Sequence, residues 1–175
     1  HFLIDLNLLN LLAKSAELNS NDVVLEIGTG MGSLTGLFAE QAAQVITVEI
    51  DEYLYQMASE ELEVFDNIQM LKQDALKNKN QFAPEVIAAI KHHMRVEDGR
   101  VFKLAANLPY NVATPIISNL LRSEIVPQTM TVTIQKELAD RLVAGPGATD
   151  CGPLRPRGRS LGGGGLVRVM SPDVF

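Results

Sequence analysis

Hydrophobic and polar residues follow one another along this chain in two kinds of block. Short apolar runs, typical of buried strands, alternate with longer stretches in which apolar residues recur every three or four positions, as on one face of a helix. The short runs predict strands at 23–27, 45–49, 68–72, 101–106 and 130–135. The longer stretches predict helices at 3–18, from the glycines near 32 to about 42, and at 52–65, 84–95 and 114–122. This alternation favours an α/β fold, a mostly parallel sheet with helices on both faces.

Composition is that of a globular protein of about one domain. The chain has 175 residues, 46% of them apolar and 21% charged, which excludes a disordered or collagen-like protein. No apolar run reaches the roughly 18 residues that cross a bilayer, and residues 1–12 lack the basic start and cleavage site of a signal peptide. A single cysteine, Cys151, cannot form an internal disulfide, which fits a reducing compartment. We therefore expect a soluble, cytoplasmic protein without a membrane partner.

Charge is distributed unevenly along the chain. Residues 1–150 hold 20 acidic and 11 basic residues, a net charge of −9, whereas residues 151–175 hold one acidic and four basic residues, a net charge of +3. Nucleic-acid-binding proteins usually carry a basic face, so charge by itself argues against RNA as a partner. Net charge bounds solubility, however, and does not identify a substrate.

The carboxyl ends of the strands are where sheets of this kind bind ligands. The first predicted strand ends in Glu26-Ile27-Gly28-Thr29-Gly30-Met31-Gly32. Glycines at alternate positions allow a tight turn and let a ligand approach the backbone amides closely. The spacing Gly-x-Gly-x-Gly, with the acid Glu26 two residues before the first glycine, differs from the Gly-x-Gly-x-x-Gly of dinucleotide-binding proteins. A tight turn without a ligand remains the alternative for this loop taken alone.

The second predicted strand ends at Glu49, about 20 residues after the glycine-rich loop. A carboxylate at that place can accept hydrogen bonds from both hydroxyls of a ribose. A solvated acid at a strand end is the alternative for Glu49 alone. The loop and the acid together predict a cofactor that contains adenosine, and they leave S-adenosylmethionine (SAM) and a nicotinamide cofactor both open.

The fourth predicted strand ends in Asn107-Leu108-Pro109-Tyr110, which places an amide, a rigid proline turn and an aromatic ring at the same sheet edge. The exocyclic amine of adenine is a poor nucleophile because its lone pair is delocalised into the ring. An Asn oxygen and a neighbouring backbone carbonyl can accept its two N–H bonds and turn the lone pair toward a methyl donor. The Tyr ring can stack on a base removed from its helix. These residue types predict methylation of adenine, with SAM as the cofactor.

Together these motifs resemble the catalytic domain of the small-subunit ribosomal RNA adenine dimethyltransferases, the KsgA family. The resemblance covers residues 1 to about 152 and resumes at 166–175. The strings that carry it lie at 1–5, 25–32, 48–51, 73–76, 106–111, 114–115, 134–137 and 141–144. The resemblance implies a Rossmann-like SAM-dependent methyltransferase fold, with residues 1–175 as the catalytic domain.

The resemblance also implies roles for individual residues. The cofactor-binding residues are Phe2 and Leu3 beside the pocket, Gly28 and Gly30 beneath the methionine part, Glu49 at the ribose, Ile50 and Asp74 at the adenine, and also Glu26 and Asn107. Those at the target adenine are Asn107, the carbonyl of Leu108, Pro109, Tyr110 and a second aromatic, Phe175.

The family methylates two adjacent adenines, twice each, in a loop near the 3′ end of the small-subunit RNA. The resemblance therefore implies immature small ribosomal subunits as the partner and a role in ribosome biogenesis, by direct in-line transfer that needs no metal. One alternative is the related family that methylates large-subunit RNA and gives macrolide resistance. The other is a mitochondrial transcription factor that shares the fold without needing catalysis. Leu108 and the pair Thr114-Pro115 favour the small-subunit branch, and Asn107 with Tyr110 favours an enzyme.

The C-terminal part departs from the family pattern in two ways. Residues 153–165 are rich in Arg, Gly and Pro where the family continues into an amphipathic helix. Interior Gly costs about 1 kcal/mol and Pro about 3 kcal/mol relative to Ala, so no stable helix is expected there. We interpret the segment as a local reading-frame error, with a flexible basic loop that touches RNA phosphates as the alternative. The family's small helical C-terminal domain has no counterpart, so we expect a fragment that binds RNA weakly and retains SAM binding.

Overall fold

The secondary structure follows the predicted alternation of strands and helices. A computed structural model describes residues 6–109, 111–135, 137–138, 155–161 and 164–170, with the backbone alone for residue 135 and for the last two ranges. Its helices are α1 (Leu6–Ser15), α2 (Ser33–Ala39), α3 (Glu52–Glu61), α4 (Pro84–Arg95) and α5 (Ala113–Leu121). Its strands are β1 (Asp22–Ile27), β2 (Gln44–Glu49), β3 (Ile68–Lys72), β4 (Leu76–Asn78), β5 (Gln81–Phe82), β6 (Val101–Asn107), β7 (Thr129–Gln135), β8 (Arg155–Leu161) and β9 (Gly164–Met170).

Seven of these strands form one sheet in the order β3-β2-β1-β6-β7-β9-β8. Strands β1, β2, β3, β6 and β7 are parallel, and β9 and β8 extend the sheet in antiparallel pairing beyond β7. The chain leads from β1 outward to β2 and β3, and from β6 outward in the other direction. The loops that follow β1 and β6 therefore diverge, which leaves a crevice at the carboxyl ends of these two strands. The mostly parallel α/β sheet predicted from the sequence is confirmed.

Apolar side chains fill a core on each face of the sheet. Neighbouring residues of β1 point to opposite faces, so Val24 packs in one core and Leu25 in the other, and both are fully buried. One core includes residues of α4 and α5, among them Ile90 and Ile116. The other includes residues of α1 and α2, among them Leu12 and Phe38. Burial on both faces explains why the central strands are continuous apolar runs.

The predicted elements differ from the observed ones mainly at helix ends. The five predicted strands are found within one residue at each end, and α4 has the predicted bounds. Helix α1 ends at Ser15, because Glu17 adopts a left-handed backbone with φ of 48°. Helices α2 and α3 end at Ala39 and Glu61, three or four residues earlier than expected. The hairpin of β4 and β5 was not predicted, since strands of three and two residues are too short to show an alternating pattern.

The backbone of the atypical C-terminal segment is a strand. β8 pairs with β9 from Arg155 opposite Met170 to Leu161 opposite Gly164, so the flexible-loop alternative is wrong for residues 155–161. The prediction that these residues form no helix is confirmed. Because β8 is the edge of the sheet, it can accommodate Pro156, which has no N–H to donate. Residues 153–154 and 162–163 lie outside the described residues, and the reading-frame error stays a hypothesis.

Candidate active site

A cavity of about 1000 Å³ opens at the carboxyl ends of the parallel strands, where the strand order reverses. Its volume is at the upper end of the range of about 300–1,000 Å³ that is usual for ligand pockets. The structure brings to its wall the predicted site residues Glu26, Gly28, Gly30, Glu49, Ile50, Asp74, Asn107, Leu108 and Pro109. Segments far apart in the sequence therefore meet at one place, as the motifs predicted.

Four other predicted site residues lie outside the described part of the chain. These are Phe2, Leu3, Tyr110 and Phe175. Their places beside the cofactor and the target base stay predictions. The cavity wall also has an apolar part that no motif in the sequence indicated. It consists of Leu8 and Leu9 of α1 and of Val112 and Ile116 at α5.

The glycine-rich loop packs directly against the segment that follows β6. The Gly28 amide donates a hydrogen bond to the Val48 carbonyl at 2.8 Å, which ties the loop to β2. A Cβ added at Gly28 would lie 3.9 Å from Cδ of Pro109. The loop after β1 and the Asn-Leu-Pro segment after β6 are thus two walls of one crevice.

Glu26 lies at the floor of the cavity and is 1% exposed. Its Oε2 accepts a hydrogen bond from the Thr35 hydroxyl and another, at 2.8 Å, from Oγ1 of Thr47. Thr47 stands opposite Glu26 in the pairing of β1 with β2, and its Oγ1 lies 2.6 Å from Oγ1 of Thr29. Burial raises the pKa of Glu26 to about 8, against the lowering effect of the Thr35 and Thr47 hydrogen bonds, and the nearby Glu49 raises it further. The carboxyl group is therefore mostly protonated at neutral pH.

Glu49 joins the end of β2 to the glycine-rich loop. Its Oε2 accepts a hydrogen bond from the Gly30 amide at 2.9 Å, and its Oε1 accepts one from the Asp51 amide at 3.0 Å. Each carboxylate oxygen has a further lone pair with which it can bind a ligand hydroxyl. Asp51 in turn accepts a hydrogen bond from the Leu54 amide at 2.9 Å and caps α3. The predicted contact of Glu49 with a ribose stays a prediction.

The predicted adenine-binding residues are at the same wall. Ile50 directly follows β2 and is 68% exposed, which is unusual for a large apolar side chain. Asp74 follows β3, and its Oδ1 accepts a hydrogen bond from the Leu76 amide at 2.9 Å, at the start of the β4–β5 hairpin. The Gln73 amide donates to the Glu49 carbonyl at 3.1 Å and joins the ends of β2 and β3.

Asn107 is held from the neighbouring strand. Its Oδ1 accepts a hydrogen bond from the hydroxyl of Thr133, which stands opposite it in the pairing of β6 with β7. The Leu108 amide donates to the Thr133 carbonyl at 3.3 Å, so β7 orients both residues. No motif in the sequence indicated Thr133, Thr35 or Thr47. Only the register of the strands and the placing of α2 bring these hydroxyls to their partners.

The charge of the cavity wall has one sign. Among the described residues, the wall has three acids, Glu26, Glu49 and Asp74, and no Lys, Arg or His. Such a wall favours a ligand that carries positive charge. The described residues contain no group of three or more His, Cys, Asp or Glu that could hold a metal ion. Over the same residues, every helix is too short or too polar to cross a membrane.

Comparisons with known proteins identify the family of the chain. The family model for ribosomal RNA adenine dimethylases matches residues 1–154. The chain is 36% identical, over 178 residues, to the ribosomal RNA small subunit methyltransferase A of Alkaliphilus oremlandii, in an alignment that covers 100% of this chain and 58% of that protein. The chain thus spans less than two thirds of the length of this curated relative.

Two crystal structures share the fold. The 23S rRNA methyltransferase ErmE aligns with a TM-score of 0.75 and 22% identity over 98% of this chain and 70% of ErmE. A dimethyladenosine transferase from Plasmodium falciparum aligns with a TM-score of 0.74 and 20% identity over 99% of this chain and 64% of that protein. At these identities the likeness concerns the fold alone, and it confirms the predicted Rossmann-like fold. With the family model matched over residues 1–154, the chain belongs to the ribosomal RNA adenine dimethylase family.

Proposed function

We propose that this chain is the catalytic domain of a SAM-dependent adenine N6-dimethyltransferase that modifies two adjacent adenines of small-subunit ribosomal RNA. The observation that carries the proposal is a single cavity with two kinds of wall. One wall is the acid-and-glycine loop after β1, and the other is the Asn107-Leu108-Pro109 segment after β6. The first suits an adenosine cofactor and the second suits a target adenine.

The residues present fit SAM. Among the described residues, chain neighbours aside, a Cβ added at Gly30 would meet no atom within 4 Å, so the glycine leaves the cavity open beside the backbone. The three acids of the wall, without a base among its described residues, suit a cofactor with a net positive charge. Glu49 would hold the ribose, Ile50 and Asp74 the cofactor adenine, and Phe2 and Leu3 would close the pocket. When bound, SAM supplies an electrophilic methyl group on a sulfonium.

The residues after β6 would prepare the nucleophile. Oδ1 of Asn107 and the carbonyl of Leu108 would accept the two N–H bonds of the target amine, which turns its lone pair toward the methyl donor. Pro109 fixes the turn, and Tyr110 and Phe175 would stack on the extruded base. Transfer is then direct and in line, and the amine loses a proton afterwards. A second transfer needs room for the monomethylated amine to rotate.

The substrate assignment follows the relatives. The name of the Alkaliphilus relative specifies the small ribosomal subunit. We infer that the partner of this chain is small-subunit RNA within the immature subunit, and that it acts in the cytoplasm during ribosome biogenesis. The acidic character of residues 1–150 makes weak binding of isolated RNA the expected behaviour.

Transfer of labelled methyl groups tests the proposal. We expect SAM to label the RNA of immature small subunits and to leave large-subunit RNA unlabelled. Asn107→Ala should abolish labelling, whereas Asn21→Ala, an exposed residue before β1 at the opposite edge of the sheet, should not change it. Labelling of large-subunit RNA alone would overturn the substrate assignment. SAM binding without transfer to either RNA would overturn the catalytic one.

A further inference from the structure

We propose that Thr35 and Thr47 are positioning residues that let the buried Glu26 carboxyl lose its proton when a cationic ligand enters the cavity. The pocket would then prefer SAM to its demethylated product, S-adenosylhomocysteine (SAH). The inference rests on the proposed function, since it concerns how the same pocket distinguishes methyl donor from product. At neutral pH SAM has a net charge of +1 and SAH has none, because only SAM carries a sulfonium.

Three elements contribute threonine hydroxyls to the hydrogen bonds around the Glu26 carboxyl group: two bond it directly and the third bonds Thr47. Thr35 comes from α2, Thr47 from β2 and Thr29 from the glycine-rich loop, and each is at most 4% exposed. A threonine hydroxyl has one proton to donate. Since Thr47 donates to Glu26, Thr29 donates to Thr47 across their 2.6 Å contact. The chain of hydrogen bonds therefore points toward Oε2 of Glu26, so the donors need not reorient when the carboxyl group loses its proton.

The described surroundings of Glu26 supply hydrogen-bond donors that can stabilise an ionised carboxylate, but no cationic side chain that would balance its charge. From β2 it faces Thr47 and the acid Glu49, from α2 it faces Thr35, and Asp74 after β3 lines the same cavity. The described wall has no cationic side chain. Burial without a cation keeps the proton on Glu26, in agreement with its pKa of about 8. A positively charged ligand would supply the counter-charge for the carboxylate. The two threonines donate hydrogen bonds that stabilise the ionised form in a buried site.

Two consequences are measurable without catalysis. Near pH 7 the binding of SAM should release close to one proton, because Glu26 is mostly protonated before binding and ionised after it. The binding of SAH should release a much smaller fraction of a proton. By linkage, SAM affinity should rise with pH up to about 8 and level off above it.

Isothermal titration calorimetry in two buffers with different ionisation enthalpies measures both affinity and proton release. Thr35→Val and Thr47→Val keep the side-chain shape and remove the donor, so each should weaken SAM about 10-fold while changing SAH little. Glu26→Gln should bind SAM without releasing a proton. Thr35→Ser, which keeps the hydroxyl, should restore the preference for SAM.

Thr131→Val is the matched control. Thr131 is fully buried in β7, and among the described residues its hydroxyl has no partner. Its loss should leave both affinities and the proton count unchanged. Equal losses of SAM and SAH affinity in Thr35→Val would indicate a merely structural role and overturn the inference. Equal proton release by both ligands would also overturn it, with the proposed function left standing. Failure of the wild-type chain to bind SAM would instead overturn the proposed function.

Discussion

Thr133 donates a hydrogen bond from its hydroxyl to Oδ1 of Asn107, across the pair that joins β7 to β6. Thr133 is 7% exposed and lies in a central strand, whereas Asn107 stands at the exposed end of its strand, at the cavity wall. A buried residue within the sheet thus fixes the orientation of the Asn107 side chain at the cavity wall. Because a carbonyl oxygen has two lone pairs, Oδ1 can still accept an N–H bond from a substrate amine.

Thr133→Val should therefore slow methyl transfer while SAM binding persists. Without its donor, Asn107 can rotate away from the orientation that accepts the amine. Loss of one hydrogen bond worth about 1–1.5 kcal/mol predicts a fall of about 10-fold in kcat/KM. Methyl transfer to immature small subunits measures kcat/KM, and calorimetry with SAM measures the affinity for SAM. A loss of SAM affinity as large as the loss of activity would show that Thr133 does not act through the contact of Asn107 with the target amine.

Glu26→Gln should make the empty protein more stable at neutral and mildly alkaline pH. The folded chain keeps the Glu26 proton up to a pKa of about 8, whereas the unfolded chain releases it near 4.5. The unfolded state therefore binds fewer protons between these values, and the free energy of unfolding falls as pH rises through this window. The stabilisation that the protonated Glu26 gives to the folded state is fully present below about pH 4.5. It is lost by about pH 8, at up to about 1.4 kcal/mol per pH unit.

Urea unfolding of the wild-type chain and of Glu26→Gln, between about pH 5 and pH 8, measures this difference. Gln cannot ionise, so the gap between the two proteins should widen in favour of the variant as pH rises. Thr131→Val removes a hydroxyl that has no hydrogen-bond partner among the described residues, so this variant should run parallel to the wild type. A constant gap across this range would show that Glu26 is already ionised in the folded protein.

The sequence predicted those features that depend on residues close together in the chain. The run Val23–Ile27 predicts a strand buried on both faces, and the acid and glycines that follow it predict a ligand loop. The roles of Thr133, Thr47 and Thr35 could not be predicted, because each depends on how separate elements pack. β8 was missed for a related reason: pairing with β9 sets its conformation, against the weak strand propensity of Arg, Gly and Pro.

The buried ion pair at the opposite edge of the sheet should be a strong determinant of stability. Nζ of Lys103 lies 2.8 Å from Oδ2 of Asp22, and it also donates to the Glu17 carbonyl at 3.0 Å. The two side chains are 8% and 1% exposed, so removing one leaves the other charge buried alone. Lys103→Met should lower the free energy of unfolding by about 3–5 kcal/mol.

A double-mutant cycle with Asp22→Asn measures how much of that cost belongs to the pair. The double variant should recover part of the stability lost in Lys103→Met, because no buried charge remains unpaired. SAM affinity should not change in any folded variant of the cycle, since both residues lie at the amino ends of their strands, away from the cavity. Strictly additive losses would show that the two groups do not interact.

Alanine substitutions at two glycines of the loop should affect stability and ligand binding to different extents. Gly32 has φ of +87°, and a Cβ there would lie 3.1 Å from Cγ of Leu62, so alanine would suffer both backbone strain and a clash. Gly30 has φ of +56°, and a Cβ there would meet no atom of the other residues that the structure describes within 4 Å, chain neighbours aside. Gly32→Ala should cost about 2–4 kcal/mol of unfolding free energy, and Gly30→Ala about 1–2 kcal/mol.

For ligand binding, Gly30→Ala should have a larger effect than Gly32→Ala. The new Cβ in Gly30→Ala would project into open space at the cavity wall, next to the amide that donates to Glu49, and should weaken SAM about 10-fold or more. Gly32→Ala is outside the described cavity lining and should bind SAM nearly as well wherever it remains folded. Urea unfolding gives the stabilities and calorimetry the affinities. If Gly30→Ala binds SAM as the wild type does, the cofactor does not pass beside this backbone, and the assignment of the loop to SAM fails.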